Sequence, residues 1–390
     1  MEEKKEQTPA QKLREELFFA PKNGYDRLAA GEGEKIQTYC EGYKTFLDAG
    51  KTERECVDRA IAQAEAAGFR AYVRGMELKP GDRIYQVNRD KAIMLAVMGQ
   101  KGLEHGVNIG AAHIDSPRLD LKQNPLYESD ELGFFKTHYY GGIRKYQWVT
   151  IPLELHGVVA LKNGEVVRVS VGNGPDDPMF TIDDLLPHLA TDQVKKPLGE
   201  AIPAESLNIL VGSRPLRDDE GSDRVKLSVL ELLNRKYGIV EEDFLSAELC
   251  AVPAFRAVDI GFDRSLIGAY GHDDRVCAYA SLAALLQLGT PERTAVCMLA
   301  DKEEIGSEGV SGMKSRAFDT FMEDLCQSQS VPLRACYEKS FCLSADVTAA
   351  YDPNFAEVYE KRNSAFVNYG MGLCKYTGAR GKSGASDASA

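Results

Sequence analysis

The chain has 390 residues, 44% hydrophobic and 27% charged, with a formal net charge of −12. That length supports a large core and more than one domain. Acids and bases are mixed along the chain and the balance is acidic, which argues against a phosphate-backbone partner such as nucleic acid, and no apolar run of about 18 residues is available to span a membrane.

Residues 1–11 are polar and charged, without the apolar core of a signal peptide. The nine cysteines follow no C-x-x-C spacing and read as free thiols of a reducing compartment, so a cytoplasmic location is expected. Ile36, Tyr39, Cys40, Tyr43 and Phe46 recur at helical spacing. Thr52 with Glu55 forms a capping box, Val57, Ala60, Ile61 and Ala64 continue one apolar face, and Gly68 ends the helix. Residues 92–97 and 107–112 read as buried strands, the second running into His113-Ile114-Asp115-Ser116-Pro117.

The middle of the chain changes character. Val149, Ile151, Leu153 and Leu155 alternate with other residues, Asn163-Gly164 is a hairpin signal, and Val167, Val169 and Val171 alternate again, as in half-buried antiparallel sheet. A helix over residues 223–237 carries Val225, Val229, Leu232 and Leu233 on its apolar side. From about residue 251 the earlier style returns, with a helix at 274–288 and buried strands at 295–299 and 341–345. The fold class expected is α/β: a mixed sheet flanked by helices, in two parts (residues 1–124 and 251–390), interrupted by a β-rich insertion at 125–250. Trp148, the single tryptophan, is expected in a core or an interface.

Four places set acidic or imidazole groups beside an apolar run: His113 with Asp115, Asp273 with Asp274, Glu303 with Glu304, and Asp346. Three close a predicted strand and one opens a predicted helix, and open α/β sheets bind ligands beyond the carboxyl ends of their strands. Each has an ordinary explanation alone. An H-x-D is commonly a satisfied polar pair, carboxylates favour helix N-termini, and paired glutamates suit a solvated turn. Asp346 is the least ordinary, because aspartate is poor in strands and rarely buried unpaired.

Together these groups suit two divalent cations, zinc first, with cobalt or manganese as alternatives. Asp273 is the candidate bridge, since a carboxylate between two cations offsets their repulsion. Asp115 can accept from the second ring nitrogen of His113. Adjacent glutamates allow one to ligate metal while its neighbour takes a proton from water activated by the metals and passes it to the leaving amine.

These residues resemble the M18 family of metallo-aminopeptidases, in its aspartyl aminopeptidase group. The matching segments are Ala112-His113-Ile114-Asp115-Ser116-Pro117-Arg118-Leu119, Tyr140-Gly141-Gly142, Gly271-His272-Asp273-Asp274-Arg275-Val276, Asp301-Lys302-Glu303-Glu304-Ile305-Gly306-Ser307 and Ser344-Ala345-Asp346-Val347. The resemblance implies His113 and Asp346 as ligands of one metal, Asp273 as the bridge, Glu304 as ligand of the second metal, Glu303 as general base and Asp115 as the partner of His113. It also implies peptide substrates, a zinc-peptidase-like domain with an inserted dimerisation domain, and homo-oligomers in which dimers assemble into a dodecamer. His188 is a candidate to reach a neighbouring subunit's site, and His272 a candidate substrate contact, with helix-start packing as its alternative.

One departure concerns the family's last metal ligand, a histidine near the C-terminus. Here no histidine follows His272, and the final ten residues are Gly381-Lys382-Ser383-Gly384-Ala385-Ser386-Asp387-Ala388-Ser389-Ala390. The expectation is a C-terminally shortened chain whose second metal has Asp273 and Glu304 but no imidazole. Two rival readings remain at this level: a non-catalytic scaffold of the same fold, and another dinuclear hydrolase such as a deacylase or carboxypeptidase.

Overall fold

A computed structural model describes residues 7–217 and 220–376. The expectations for residues 1–6 and 381–390 lie outside the described residues. No described helix is long and apolar enough to cross a membrane.

In chain order the helices are α1 (Pro9–Leu17), α2 (Glu32–Ala49), α3 (Glu53–Ala66), α4 (Leu198–Ala201), α5 (Arg224–Tyr237), α6 (His272–Gln287), α7 (Ala317–Ser328) and α8 (Leu333–Glu338). The strands are β1 (Arg70–Ala71), β2 (Arg83–Asn88), β3 (Ala92–Val97), β4 (Asn108–His113), β5 (Arg118–Ser129), β6 (Leu132–Tyr140) and β7 (Leu153–Ala160). They continue with β8 (Val166–Val171), β9 (Ile209–Gly212), β10 (Ala247–Pro253), β11 (Val258–Ile260), β12 (Leu266–Gly268), β13 (Ala295–Ala300) and β14 (Phe341–Ser344).

The chain divides into two compact units, residues 1–41 with 347–390, and residues 42–346. In the first, Thr8 caps α1 through a capping box with Gln11. The Gly24 amide donates to the Asn368 carbonyl at 2.6 Å, and Ala350 bridges to Ala365. Tyr351 stacks at tilted and edge-on angles with Phe366 and Tyr359.

The second unit holds two six-stranded sheets. The first has the order β1-β2-β3-β13-β4-β14 and is mixed. Its strands β13, β4 and β14 are mutually parallel, with Ala300 beside His113 and Ser344 beside Ala111. Their carboxyl ends therefore fall on one edge. β3 is buried at all six positions because both faces of the sheet are covered, which is why it reads as an unbroken apolar run. On one face Ile93, Leu95, Val97, Cys297 and Leu299 pack with Phe46, Val57, Ala60, Ala278 and Leu282 of α2, α3 and α6. On the other, Met94, Ala96, Val296 and Met298 pack with Phe321, Met322 and Leu325 of α7.

The second sheet, β8-β7-β10-β5-β6-β9, is antiparallel throughout, and all its strands lie between residues 118 and 253. Its core joins Leu119, Phe135, Leu155, Val169 and Leu249 to Phe244 and Trp148, so the single tryptophan is a core residue. The capping box of Thr52 and Glu55 forms, and Gly68 follows α3 at φ +85°. No cysteine pairs in a disulfide among the described residues.

Three expectations need correction. β14 is not buried: all four of its residues are exposed, Phe341 by 58% and Leu343 by 55%. It is an edge strand with β4 on one side, and an apolar sequence does not distinguish an edge from a centre. The alternation from Val149 becomes strand at Leu153, because Thr150 at φ +62° turns the chain and Pro152 precedes the ladder. Leu232, assigned to the apolar face of α5, is 58% exposed.

Candidate metal centre

Four sequence-distant segments meet at one edge of the first sheet. His113 ends β4 and is buried. The turn Glu303–Ile305 follows β13, with Lys302 and Gly306 on either side in the left-handed region. Asp346 stands two residues after β14. Asp273 lies at the start of α6, where Asp273 and Asp274 depart from helical φ/ψ and their peptide bond is cis.

The imidazole of His113 is the focus. Its Nε2 lies 3.1 Å from Asp273 Oδ1, 3.7 Å from Glu303 Oε2 and 3.8 Å from Asp346 Oδ1. Its Nδ1 points the other way, 3.0 Å from the Asp115 carbonyl and 3.2 Å from Asp115 Oδ1. Nδ1 is thus the natural position of the ring proton, and Nε2 faces the carboxylates. The rear is sealed, with His113 and Asp115 buried, while Asp273, Glu303 and Asp346 are each about half exposed. The cluster therefore opens to solvent on the side a substrate would use.

Asp115 organises the rear. Its Oδ1 accepts from the Glu303 amide at 3.2 Å as well as from His113, and its Oδ2 accepts from the Tyr140 hydroxyl at 2.6 Å and the Glu304 amide at 3.2 Å. Burial alone would raise its pKa, but these donors outweigh it and hold the carboxyl below the usual range. Asp273 is steadied by Ser116, whose hydroxyl donates to the Asp273 carbonyl at 2.7 Å. Two residues on, the buried Arg275 donates to the carbonyls of Ile114 and Lys51, both at 3.1 Å. Glu304 packs against Gly141, where a Cβ would come within 3.0 Å of Glu304 Oε2, and Gly141 has φ +73°. Sequence alone assigns no role to Ser116, Tyr140, Gly141 or Arg275. All four lie inside the segments that carry the family resemblance, which is the signal that singles them out.

The electrostatics are those of crowded negative charge. Burial and then Asp273 push Glu304 up to about 7. Burial lifts Asp274 to about 6, and raises Glu303 despite His113. Burial opposes protonation of His113, yet Asp115 and Asp273 outweigh it and hold the imidazole up to about 11. A divalent cation would relieve all of these at once. The residues fit one: ligand atoms of His113, Asp273 and Asp346 lie within 4.8 Å of one another. Tetrahedral zinc with bonds of about 2.0–2.2 Å spreads its ligand atoms to roughly 3.3–3.5 Å, between the 3.1 and 3.8 Å found here. Glu304 Oε1 is buried and has no hydrogen-bond partner among the described residues, as a carboxylate oxygen reserved for a cation would be.

His272 and His188 are placed elsewhere. The Tyr43 hydroxyl donates to His272 Nδ1 at 2.8 Å, and His272 Nε2 donates to the Ile267 carbonyl at 3.0 Å. Burial lowers its pKa, so the ring is neutral and both nitrogens are engaged within the protein. His188 sits in an exposed turn of the segment between β8 and β9.

The M18 family, described as aminopeptidase I zinc metalloprotease, matches residues 46–390. A probable M18 family aminopeptidase 1 of Clostridium acetobutylicum is 47% identical over 381 residues, covering 96% of this chain and 82% of the relative. The crystal structure of an M18 aminopeptidase from Thermotoga maritima superposes with a TM-score of 0.89 at 41% identity, over 94% of this chain and 81% of that one. That of aminopeptidase I from Clostridium acetobutylicum gives 0.87 at 42% identity, over 96% and 82%. The mApe1 dodecamer of S. cerevisiae shares the fold, with a TM-score of 0.68 at 21% identity over 84% and 75%.

Proposed function

Given that this chain belongs to the M18 family and is a zinc-dependent aminopeptidase, we propose that the cluster around His113 is its catalytic centre, with a distinct task for each residue. His113 and Asp346 would hold one ion, Glu304 would hold a second, and Asp273 would be shared by both. The observation that carries this reading is the convergence of three carboxylates, from three separate elements, within 3.1–3.8 Å of one imidazole nitrogen. When bound, zinc lowers the pKa of water toward about 7 and polarises the carbonyl of the scissile bond.

The protein's own groups do the rest. Glu303 is half exposed at the open side, with its backbone fixed by Asp115, so its carboxylate accepts the proton of the attacking water. The same carboxyl then gives that proton to the amine nitrogen that leaves as the C–N bond breaks. Asp115 keeps the ring proton of His113 on Nδ1, which leaves Nε2 free for a ligand bond. His272 acts in packing, since both of its nitrogens are engaged.

The wider setting follows the same reading. Substrates are peptides with a free α-amine. The β-rich segment 125–250 forms an inserted dimerisation domain between the two halves, 1–124 and 251–390, of the metallopeptidase domain. Copies of the chain assemble as dimers and then as a dodecamer, which the likeness in fold to the S. cerevisiae dodecamer supports. Their place of work is the cytoplasm, in keeping with nine cysteines that form no disulfide among the described residues and an acidic net charge. His188, exposed in its turn, is offered to a neighbouring subunit.

A panel of matched peptides, with free and blocked N-termini, tests the proposal on zinc-loaded protein. Stepwise release of N-terminal residues from the free-amine peptides, lost on His113→Ala, is expected. Equal cleavage of blocked peptides, or undiminished cleavage by His113→Ala, overturns it.

A further inference from the structure

Tyr140 ends β6 of the second sheet, yet its hydroxyl reaches the rear of the centre built on the first. The bond it donates to Asp115 Oδ2, at 2.6 Å, is the shortest of those that Asp115 accepts. A neutral donor on a buried carboxylate at that distance is among the stronger hydrogen bonds of a protein interior. Without it, Oδ2 keeps one side-chain or backbone donor among the described residues, the Glu304 amide at 3.2 Å. The terminal torsion of an aspartate is broad, so the carboxylate would then be free to rotate away from both His113 and the Glu303–Glu304 turn.

Two cations lie against the ring itself. Arg118 is the cross-strand partner of Tyr140, and its guanidinium lies 4.3 Å over the ring. That guanidinium is fixed in turn by Glu53 and Asp120, each at 2.7 Å. The ammonium of Lys302, the residue just before Glu303, lies 5.6 Å over the same ring. The next residue, Gly141, leaves the space that Glu304 fills. Two consecutive residues at the end of β6 thus brace both glutamates and the partner of His113.

We propose that Tyr140 is a positioning residue of the metal centre, acting through Asp115 to fix the His113 imidazole and the Glu303–Glu304 turn together. The proposal rests on the reading of this cluster as the metallopeptidase centre. It gives the second sheet a part in catalysis: the register of β6 on β5 determines where the tyrosine hydroxyl lands, and so how firmly the metal ligands are aimed.

Tyr140→Phe removes the hydroxyl and keeps the ring against its cations. Zinc affinity, measured by competition with a chromophoric chelator, should fall about tenfold, at the lower end of the effect of removing an outer partner of a metal ligand. The kcat should fall about tenfold with KM within twofold, and the melting temperature of the zinc-free protein should fall as well, because a buried carboxylate loses a donor. In an Asp115→Asn background the same substitution should cost little more, because its effect runs through that carboxylate. Unchanged zinc affinity in Tyr140→Phe, or losses that multiply in full in the double variant, overturns the proposal. If Tyr140→Phe does not fold, Tyr140→His replaces it and must hold zinc more tightly than Tyr140→Leu; equal affinities reject the role. Failure of the aminopeptidase reading itself would show in the wild type, as no release of N-terminal residues, whereas the zinc comparison judges Tyr140 independently.

Discussion

Oδ1 of Asp115 lies 3.2 Å from the backbone nitrogen of Glu303, so the carboxylate that orients His113 also anchors the turn that carries the proposed base. The backbone, not the side chain, is tied. The Glu303 carboxylate remains half exposed and faces His113 Nε2 from 3.7 Å.

From this it follows that Glu303→Gln should leave the scaffold and the metal in place and remove the proton carrier. Zinc content should match the wild type, while kcat falls roughly 10²–10⁴-fold, the usual contribution of general acid–base catalysis. Metal analysis beside a rate measurement decides it. Full activity in the variant would strip Glu303 of its role.

Asp273 is the carboxylate nearest to His113 Nε2 and the strongest charge acting on Glu304. A group shared in this way should not be removable from one ion alone. Asp273→Ala is therefore expected to lose both equivalents of zinc together, as read by metal content after gel filtration. Unchanged content, or the loss of a single equivalent, would deny it the bridging place.

The two ions should also bind unequally. In the proposed assignment one ion has an imidazole and a carboxylate besides the bridge, and the other has, among the described residues, Glu304 and the bridge. Chelator competition on residues 1–390 should resolve a tight and a weak step, with the weak step abolished by Glu304→Ala. Two steps of equal affinity would contradict the assignment of ligands.

Much of this was legible in the sequence, for physical reasons that can be named. β3 and β13 are apolar at every position because helices cover both faces, and the groups that follow β4, β13 and β14 meet because parallel strands end on one edge. The exposure of β14 was not legible: Phe341 and Leu343 have the side chains of a central strand, and only its place at the sheet edge leaves them exposed. Nor was the part played by Tyr140. A tyrosine at a strand end carries no periodicity that marks it as a donor, and its partner is 25 residues away. His272 shows the converse, since its neighbour Asp273 drew it into the candidate site while its ring turns to Tyr43 and Ile267.

Away from the metal centre, His156 of β7 should make stability depend on pH. Its Nδ1 lies 2.7 Å from Glu55 Oε1 of α3, and its Nε2 is 3.5 Å from Glu154 Oε1. Burial lowers its pKa, but Glu154 and Glu55 outweigh burial and hold it up to about 9, while Glu55 stays below the usual carboxylate range. A histidine with a folded pKa above its unfolded value of about 6.5 contributes stability that is complete below that value and disappears as pH rises through about 9. The full shift corresponds to roughly 3 kcal/mol as an upper bound. Lys51, 3.4 Å from the same Glu154, opposes this slope, because burial lowers its pKa and its strain is relieved as pH rises. The difference between proteins isolates the histidine: denaturant unfolding at pH 6, 7.5 and 9 should show the wild type losing stability relative to His156→Gln at each step. Parallel stability curves for the two proteins would mean that the imidazole does not take up its proton between these carboxylates.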